Sequence, residues 1–416
     1  MKPQITDYRI LITPWKKFIQ SDRIILGLWV ALPLLNWSID FFKNRYNNFR
    51  IFKSMFWHLV EQKNLYAAYP LEHYDFFHYG PAFSLIIAPF AVLPDIIGSP
   101  LWGIFNVLIL FYALNQLKLK SELKIALMVL STIELGNAVW SNQFNPCVTA
   151  MIILGFTSVE NEKDFQAPFW ILLGTFTKIY GIVGMIFFLF SKNKRKFIAG
   201  CFVWSAVFFA LPMLLSSPQY IVQTYVDWFH DLIAKNSSLI VSISSDLSVM
   251  GLVRKVSGHL ELPNSWFFAM GLPMLLLPLL RFKQYGSKHY RTLILASLLM
   301  FVVLFSTAAE HPTYIICITG LFLWMVLQAK VFSVRNSILI FFVLVLTGLA
   351  PTYVFSKGVA VFVLGYALKA LPCLVAWVLL VKDLFTTDFN KENDADFFVM
   401  QQKAPAFAPF VKPIHP

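Results

Sequence analysis

Charge is scarce in this chain. Asp, Glu, Lys and Arg make up 13% of its 416 residues, against about 25% in a soluble domain. Cysteine is scarcer still: Cys147, Cys201, Cys317 and Cys373 all sit in apolar runs, with no CxxC or Cys/His spacing. Neither a disulfide framework nor a zinc site is indicated. The sequence also lacks a glycine-rich phosphate loop with its lysine, an HExxH and a GxSxG. Phosphate-loop ATPases, zincins and the common serine hydrolases therefore have no support. The first apolar run has no small-residue cleavage site before or after it, and reads as a retained helix and not a secretory signal.

What fills the space is apolar. Hydrophobic residues reach 58%, and long apolar runs are the mark of a polytopic membrane protein. They fall at 24–42, 99–116, 123–139, 145–158, 197–215, 264–280, 291–307, 313–329, 336–350 and 358–381, with two shorter runs, 166–177 and 179–190, flanking Lys178. The shorter two reach only about 18 Å each at about 1.5 Å per residue, and predict a tilted or thinned helical hairpin. The expected fold is an all-α integral membrane bundle of about 11–13 transmembrane helices in one domain, 1–381, followed by a flexible cytoplasmic tail, 382–416.

The formal charge of +12 has a topological explanation. The basic clusters "KLKSELK" (118–124), "SKNKRK" (191–196), "RFKQYGSKHYR" (281–291) and "AKVFSVR" (329–335) fall on one side of the bundle, together with both termini. By the positive-inside rule that side is cytoplasmic, so the charge argues against nucleic acid as a partner. The opposite, external side then carries a long first segment, 43–98, whose apolar piece 82–94 is too short to cross and is expected to be half-inserted. Within that segment Phe49, Phe52, Phe56 and Leu59 recur at helical spacing, with Arg50, Lys53, His58 and Glu61 on other faces. That pattern predicts a helix lying in the membrane interface.

Ionisable residues gather in the external segments. "EHYDFFHYGP" holds Glu72, His73, Asp75, His78 and Tyr79; "SNQFN" holds Asn142, Gln143 and Asn145; "GTFTKIYG" holds Lys178; "SSDLSVMGLVRK" holds Asp246 and Arg254; "AAEHP" holds Glu310 and His311. Lys178 stands out, because an ammonium between two apolar half-spans is costly unless it meets water, an anion or the headgroup layer. Carboxylates or histidines that can act as bases, sharing a face with cations that can hold a phosphate, suit a displacement on a lipid-linked phosphate ester. No metal or cofactor is called for by these residues.

The run "NNFRIFKSMFWHLVEQKNLYAAYPLEHYDFFHYGPAFSLIIAPFAVLP" and the following "LWGIFNVLILFYAL" resemble glycosyltransferase family 87, and look closest to its Bacteroidetes-type branch. "QFN", "TK" and "SDLSVMGLVRK" are similar to that family's later motifs. The resemblance implies a GT-C-like polytopic bundle and a hexosyltransferase, often a mannosyltransferase. Its donor would be a polyprenyl-phosphate sugar, its acceptor a glycolipid or envelope glycan, and its place the external face of the plasma membrane. It also implies a catalytic Asp opening the first external loop, where this sequence has Asn48. An amide cannot serve as a base, so the candidates for that role become Asp75 and Glu72, then Asp40. Asn48, His73, Tyr79, Gln143, Lys178, Arg254, Glu310 and His311 are the candidates for holding substrate. The tail's "DAD", Asp394 to Asp396, resembles the metal-binding signature of nucleotide-sugar transferases but stands alone. A transporter or flippase of a lipid-linked or small solute is the alternative, weakened by the lack of an internal repeat.

Overall fold

The computed structural model describes residues 22–238, 246–352 and 354–399. Among these the secondary structure is helical, with a single isolated bridge between Leu119 and Phe398. The chain opens with α1 (Asp22–Asn36), continued by a π turn, Trp37–Phe41. Residues 43–98 contribute α2 (Asn47–Val60) and α3 (Phe83–Ala91). Then come α4 (Asp95–Asn115), α5 (Ser121–Trp140), α6 (Asn145–Glu160) and α7 (Ala167–Thr177), the last followed by a 3₁₀ segment, Ile179–Phe190. The second half contains α8 (Lys194–Ala210), α9 (Pro218–Ser238), α10 (Val249–Ser257) and α11 (Asn264–Leu276). It closes with α12 (Lys288–Leu304), α13 (Tyr314–Val326), α14 (Val334–Phe342), α15 (Lys357–Gly365) and α16 (Ala370–Thr386).

At the centre stand α6, α12 and α13. All of α13 is buried, as is α12 from Thr292 onward. These two helices approach backbone to backbone at Gly320, where an added Cβ would lie 2.5 Å from the Ala296 carbonyl oxygen. Close approach at a small residue is how helices pack when lipid removes the hydrophobic drive between them. Around this centre the outer helices keep large apolar side chains exposed, such as Leu28, Phe202 and Met270. In water these would be a liability; against acyl chains they are the expected surface.

Among the described residues, four helices are long and apolar enough to cross a bilayer unbroken: α1 with its π turn, α4, α5, and α8 with its 3₁₀ end to Leu214. Taken as one span, the pair α15 and α16, bent by 48°, makes a fifth. The apolar runs predict one helix each, and several are broken instead. Pro273 and Pro278 turn the end of 264–280 into a 3₁₀ stretch, because proline has no N–H to continue the ladder. The run 336–350 passes from α14 into a π segment, Val343–Leu349. The run 166–190 divides at Lys178, whose extended backbone ends α7.

In segment 43–98 the first helix, α2, turns its apolar face to protein. Phe49, Phe52, Phe56 and Leu59 are buried, and Phe52 packs edge-on to Tyr79, Phe83 and Trp102. His58, expected on a polar face, is buried as well. With nine residues α3 spans only about 14 Å, less than half of a hydrocarbon core of about 30 Å.

At the opposite end of the bundle, residues 388–398 dock onto the start of α12. A carboxylate oxygen of Asp394 accepts from the Lys288 backbone N–H at 3.0 Å and another from that of His289 at 3.1 Å. These are first-turn donors with no partner inside the helix. The lone "DAD" thus supplies a helix cap, while residues 400–416 lie outside the described residues. Asp394→Ala is expected to cost about 1 kcal/mol, read as a lower melting temperature in detergent. An unchanged melting temperature would mean that the clasp contributes nothing.

Candidate active site

The segment "HYGP", residues 78–81, is held between two helices. The Gly80 N–H donates to the Thr177 carbonyl at 2.9 Å. A Cβ at Gly80 would lie 2.1 Å from the Phe176 carbonyl oxygen and 2.9 Å from the Trp228 ring, so only glycine lets the segment seat there. From α9, Trp228 Nε1 donates to the His78 carbonyl at 3.2 Å, and the Tyr66 hydroxyl donates to the Tyr79 carbonyl at 3.1 Å. Burial, aided by the Asp231 carboxylate, pushes the Tyr66 phenol well above its usual range, so it remains a donor.

This seating brings Tyr79 onto Lys178. The Lys178 ammonium lies 5.2 Å from the centroid of the Tyr79 ring and 5.2 Å from that of Tyr180, within cation–π reach of both. It donates to Asn145 Oδ1 at 2.6 Å, and the Asn145 amide donates in turn to the Pro312 carbonyl at 3.0 Å. The Tyr79 hydroxyl donates to Gln143 Oε1 at 3.0 Å. Burial first, then the Glu310 carboxylate, pushes the Tyr79 phenol well above its ordinary value. Glu310 and Lys235 are the charges that act on Lys178, and Lys235 Nζ lies 3.5 Å from Glu310 Oε1. Tyr180 shares a 2.9 Å hydrogen bond with the Ser306 hydroxyl.

Below this polar group opens an apolar cavity of about 420 Å³ between the 3₁₀ segment and helices α10, α11 and α12. Val183, Met250, Phe268 and Phe301 line it, together with the polar side chains of Tyr180 and Ser306. The cavity and the Lys178 cluster therefore share Tyr180.

Of the residues named from sequence, Tyr79, Gln143, Asn145, Lys178 and Glu310 come together here, with His78 in the seated segment beside them; the other candidates lie elsewhere. Asn48 donates to the Ser141 carbonyl at 2.6 Å, tying the start of α2 to the "SNQFN" loop. Asp40 is buried in the π turn, 3.8 Å from Arg45. Glu72 is 3.0 Å from His58 Nε2, beside a polar pocket of about 320 Å³ on the other side of α2 from Tyr79. Burial acts to raise the Glu72 carboxyl, but hydrogen bonds from Ser54 and His58 overcome it and hold the group below the usual Glu value. Asp75 is exposed and accepts from the next residue's N–H. His73 is buried with Nδ1 2.7 Å from the Asp75 carbonyl, and burial lowers its pKa. Arg254 is 1% exposed and fully engaged, by Asp246 at 3.1 Å and by Leu262 and Asn264. His311 accepts at Nδ1 from Lys369, 2.9 Å away. Among the described residues, no group of three or more His, Cys, Asp or Glu is placed to hold a metal ion.

Three members of the site have no counterpart in the sequence expectations: Tyr180, Lys235 and Ser306. The signal for Lys235 is its spacing, one helical turn after Asp231 on the polar face of α9.

Residues 77–307 match the model of glycosyltransferase family 87. The chain belongs to that family. No curated protein matches it. The family stretch begins inside "EHYDFFHYGP" and takes in Tyr79, Gln143, Lys178, Lys235 and the whole lining of the cavity. A family 87 protein is a glycosyltransferase, which displaces the transporter reading, and its long apolar helices make it a membrane protein.

Proposed function

We propose that the protein moves a hexose, mannose among the possibilities, from a polyprenyl-phosphate sugar to an acceptor glycolipid or envelope glycan on the external face of the plasma membrane. The carrying observation is that the Lys178 ammonium lies 5.2 Å from the centroid of the Tyr180 ring, and Tyr180 also lines the apolar cavity. A lipid phosphate needs this pairing: apolar walls for the isoprenoid and a cation where the chain ends. Lys178 and Lys235 meet the charge that builds on the departing phosphate. Tyr79 and Tyr180 offer ring faces to the sugar or to the first isoprene. Because phosphate departs without an acid, one base on the far side of the anomeric carbon suffices, and the configuration inverts. Basic loops at the opposite end of the bundle support an external site.

The test supplies native membranes with a tritiated polyprenyl-phosphate hexose or with the corresponding nucleotide sugar. Label is expected in the glycolipid or glycan fraction from the lipid donor. Label from the nucleotide sugar alone would sink the proposal. In the same assay Glu72→Gln should stay within about fivefold of wild type, because a half-exposed ion pair contributes at most about 1 kcal/mol. A loss of about 100-fold or more would return the base to Glu72.

A further inference from the structure

Family 87 chemistry needs a group to take the acceptor's proton, and the amide of Asn48 cannot. Glu310 is poorly placed for it. It sits on the lysines that would hold the leaving phosphate, whereas the incoming hydroxyl of an inverting displacement approaches from the other side of the anomeric carbon.

One turn along α9 from Lys235 stands Asp231, and its Oδ2 is 2.8 Å from Nδ1 of His78. The His78 side chain is 22% exposed and that of Asp231 13%. A carboxylate only accepts, so Nδ1 must donate to it. In the neutral ring this leaves Nε2 as the nitrogen with a free lone pair. Nε2 has no protein hydrogen bond among the described residues. The imidazole is thus oriented by one element, α9, while its backbone is fixed by the seating of Gly80 and by Trp228.

We propose that His78, held by Asp231, is the catalytic base of the glycosyl transfer. The Asp231 and Lys235 levels of α9 are about 6 Å apart along its axis, roughly the thickness of one sugar ring between attacking and departing oxygens. The acceptor oxygen forms its bond to the anomeric carbon as the bond from that carbon to the phosphate oxygen breaks. The broken bond's electron pair leaves with the phosphate, toward Lys178 and Lys235. The acceptor proton passes to His78 Nε2, and Asp231 faces the imidazolium that results. Asp231 is a positioning residue in this scheme. The inference rests on the proposed function only for the side from which the phosphate departs.

The experiment compares His78→Ala, Asp231→Asn and wild type in native membranes, using whichever donor wild type turns over, polyprenyl-phosphate hexose or nucleotide sugar. A wrong donor class then shows in wild type, and a wrong base only in the variants. His78→Ala should lower kcat by about 10²–10³-fold with little change in donor KM, and added imidazole should restore part of the rate. Asp231→Asn should lower kcat with donor KM unchanged, and Asp231→Glu should recover more than Asp231→Asn. Wild-type kcat in His78→Ala overturns the proposal, as does a loss that imidazole leaves untouched while detergent-extracted protein elutes normally.

Discussion

Lys178→Met should lower kcat/KM for the glycosyl donor by about 10³-fold, the loss expected when a preorganised cation is removed from a developing negative charge. Methionine keeps the length and apolar body of the side chain, so Tyr79 and Tyr180 retain something to pack on. Asn145 keeps its bond to the Pro312 carbonyl, which holds α6 to the Glu310 turn independently of the lysine. The fold should therefore survive, and the loss should fall on kcat as well as on KM. Arginine is a poor substitute, since its planar fork must fit where a compact ammonium lies 5.2 Å from two ring centroids. The measurement is initial-rate transfer against donor concentration in membranes normalised to protein content. Undiminished kcat/KM in Lys178→Met would remove Lys178 from the site.

The second large effect is on stability. Lys369→Met should destabilise the protein by about 3–5 kcal/mol, because it leaves an uncompensated charge in the buried interior. The Lys369 ammonium is completely buried, 2.6 Å from Glu134 Oε1 in the middle of α5, 2.6 Å from the Thr347 carbonyl and 4.6 Å from the centroid of the Tyr314 ring. Glu134 is itself 2% exposed, and its Oε2 has no hydrogen-bond partner. Without the lysine this carboxylate has no cation to answer it. The double variant Glu134→Leu/Lys369→Met should recover most of the loss, as replacing a buried pair by apolar side chains often does. Thermal unfolding in detergent reads both. A single variant as stable as wild type would show that the pair carries no net energy.

The helical architecture is legible in the sequence because hydropathy alone decides whether a segment can face lipid. Its interruptions are not. Val343 to Leu349 is as apolar as any span, and its change to a π segment depends on neighbours such as Lys369, whose backbone accepts from Thr347. The amphipathic pattern of α2 finds a helix with one apolar face but cannot say whether lipid or protein covers it, and here it is Phe83 and Trp102. At the site, Lys178 is readable because an ammonium between two short apolar runs has few inexpensive options. Arg254 and Asp246 look like loop charges in the sequence, since pairing across eight residues and burial to 1% are tertiary facts. Asp231 and Lys235 share a face of α9 by their one-turn spacing, but α9 carries several other polar residues, and that spacing alone does not say which of them turn inward.

The Glu134–Lys369 pair also sets the order in which the protein can be made. Its partners are 235 residues apart, whereas His78 and Asp231 are separated by 153 and Tyr79 and Gln143 by 64. A nascent chain inserted as far as α13 has every residue of the proposed site, yet its α5 holds a carboxylate inside the bilayer with its cation still to be translated. Chains that stop there are complete in their chemistry and defective in their assembly, and a membrane quality-control protease should distinguish them from full-length protein by that one exposed charge.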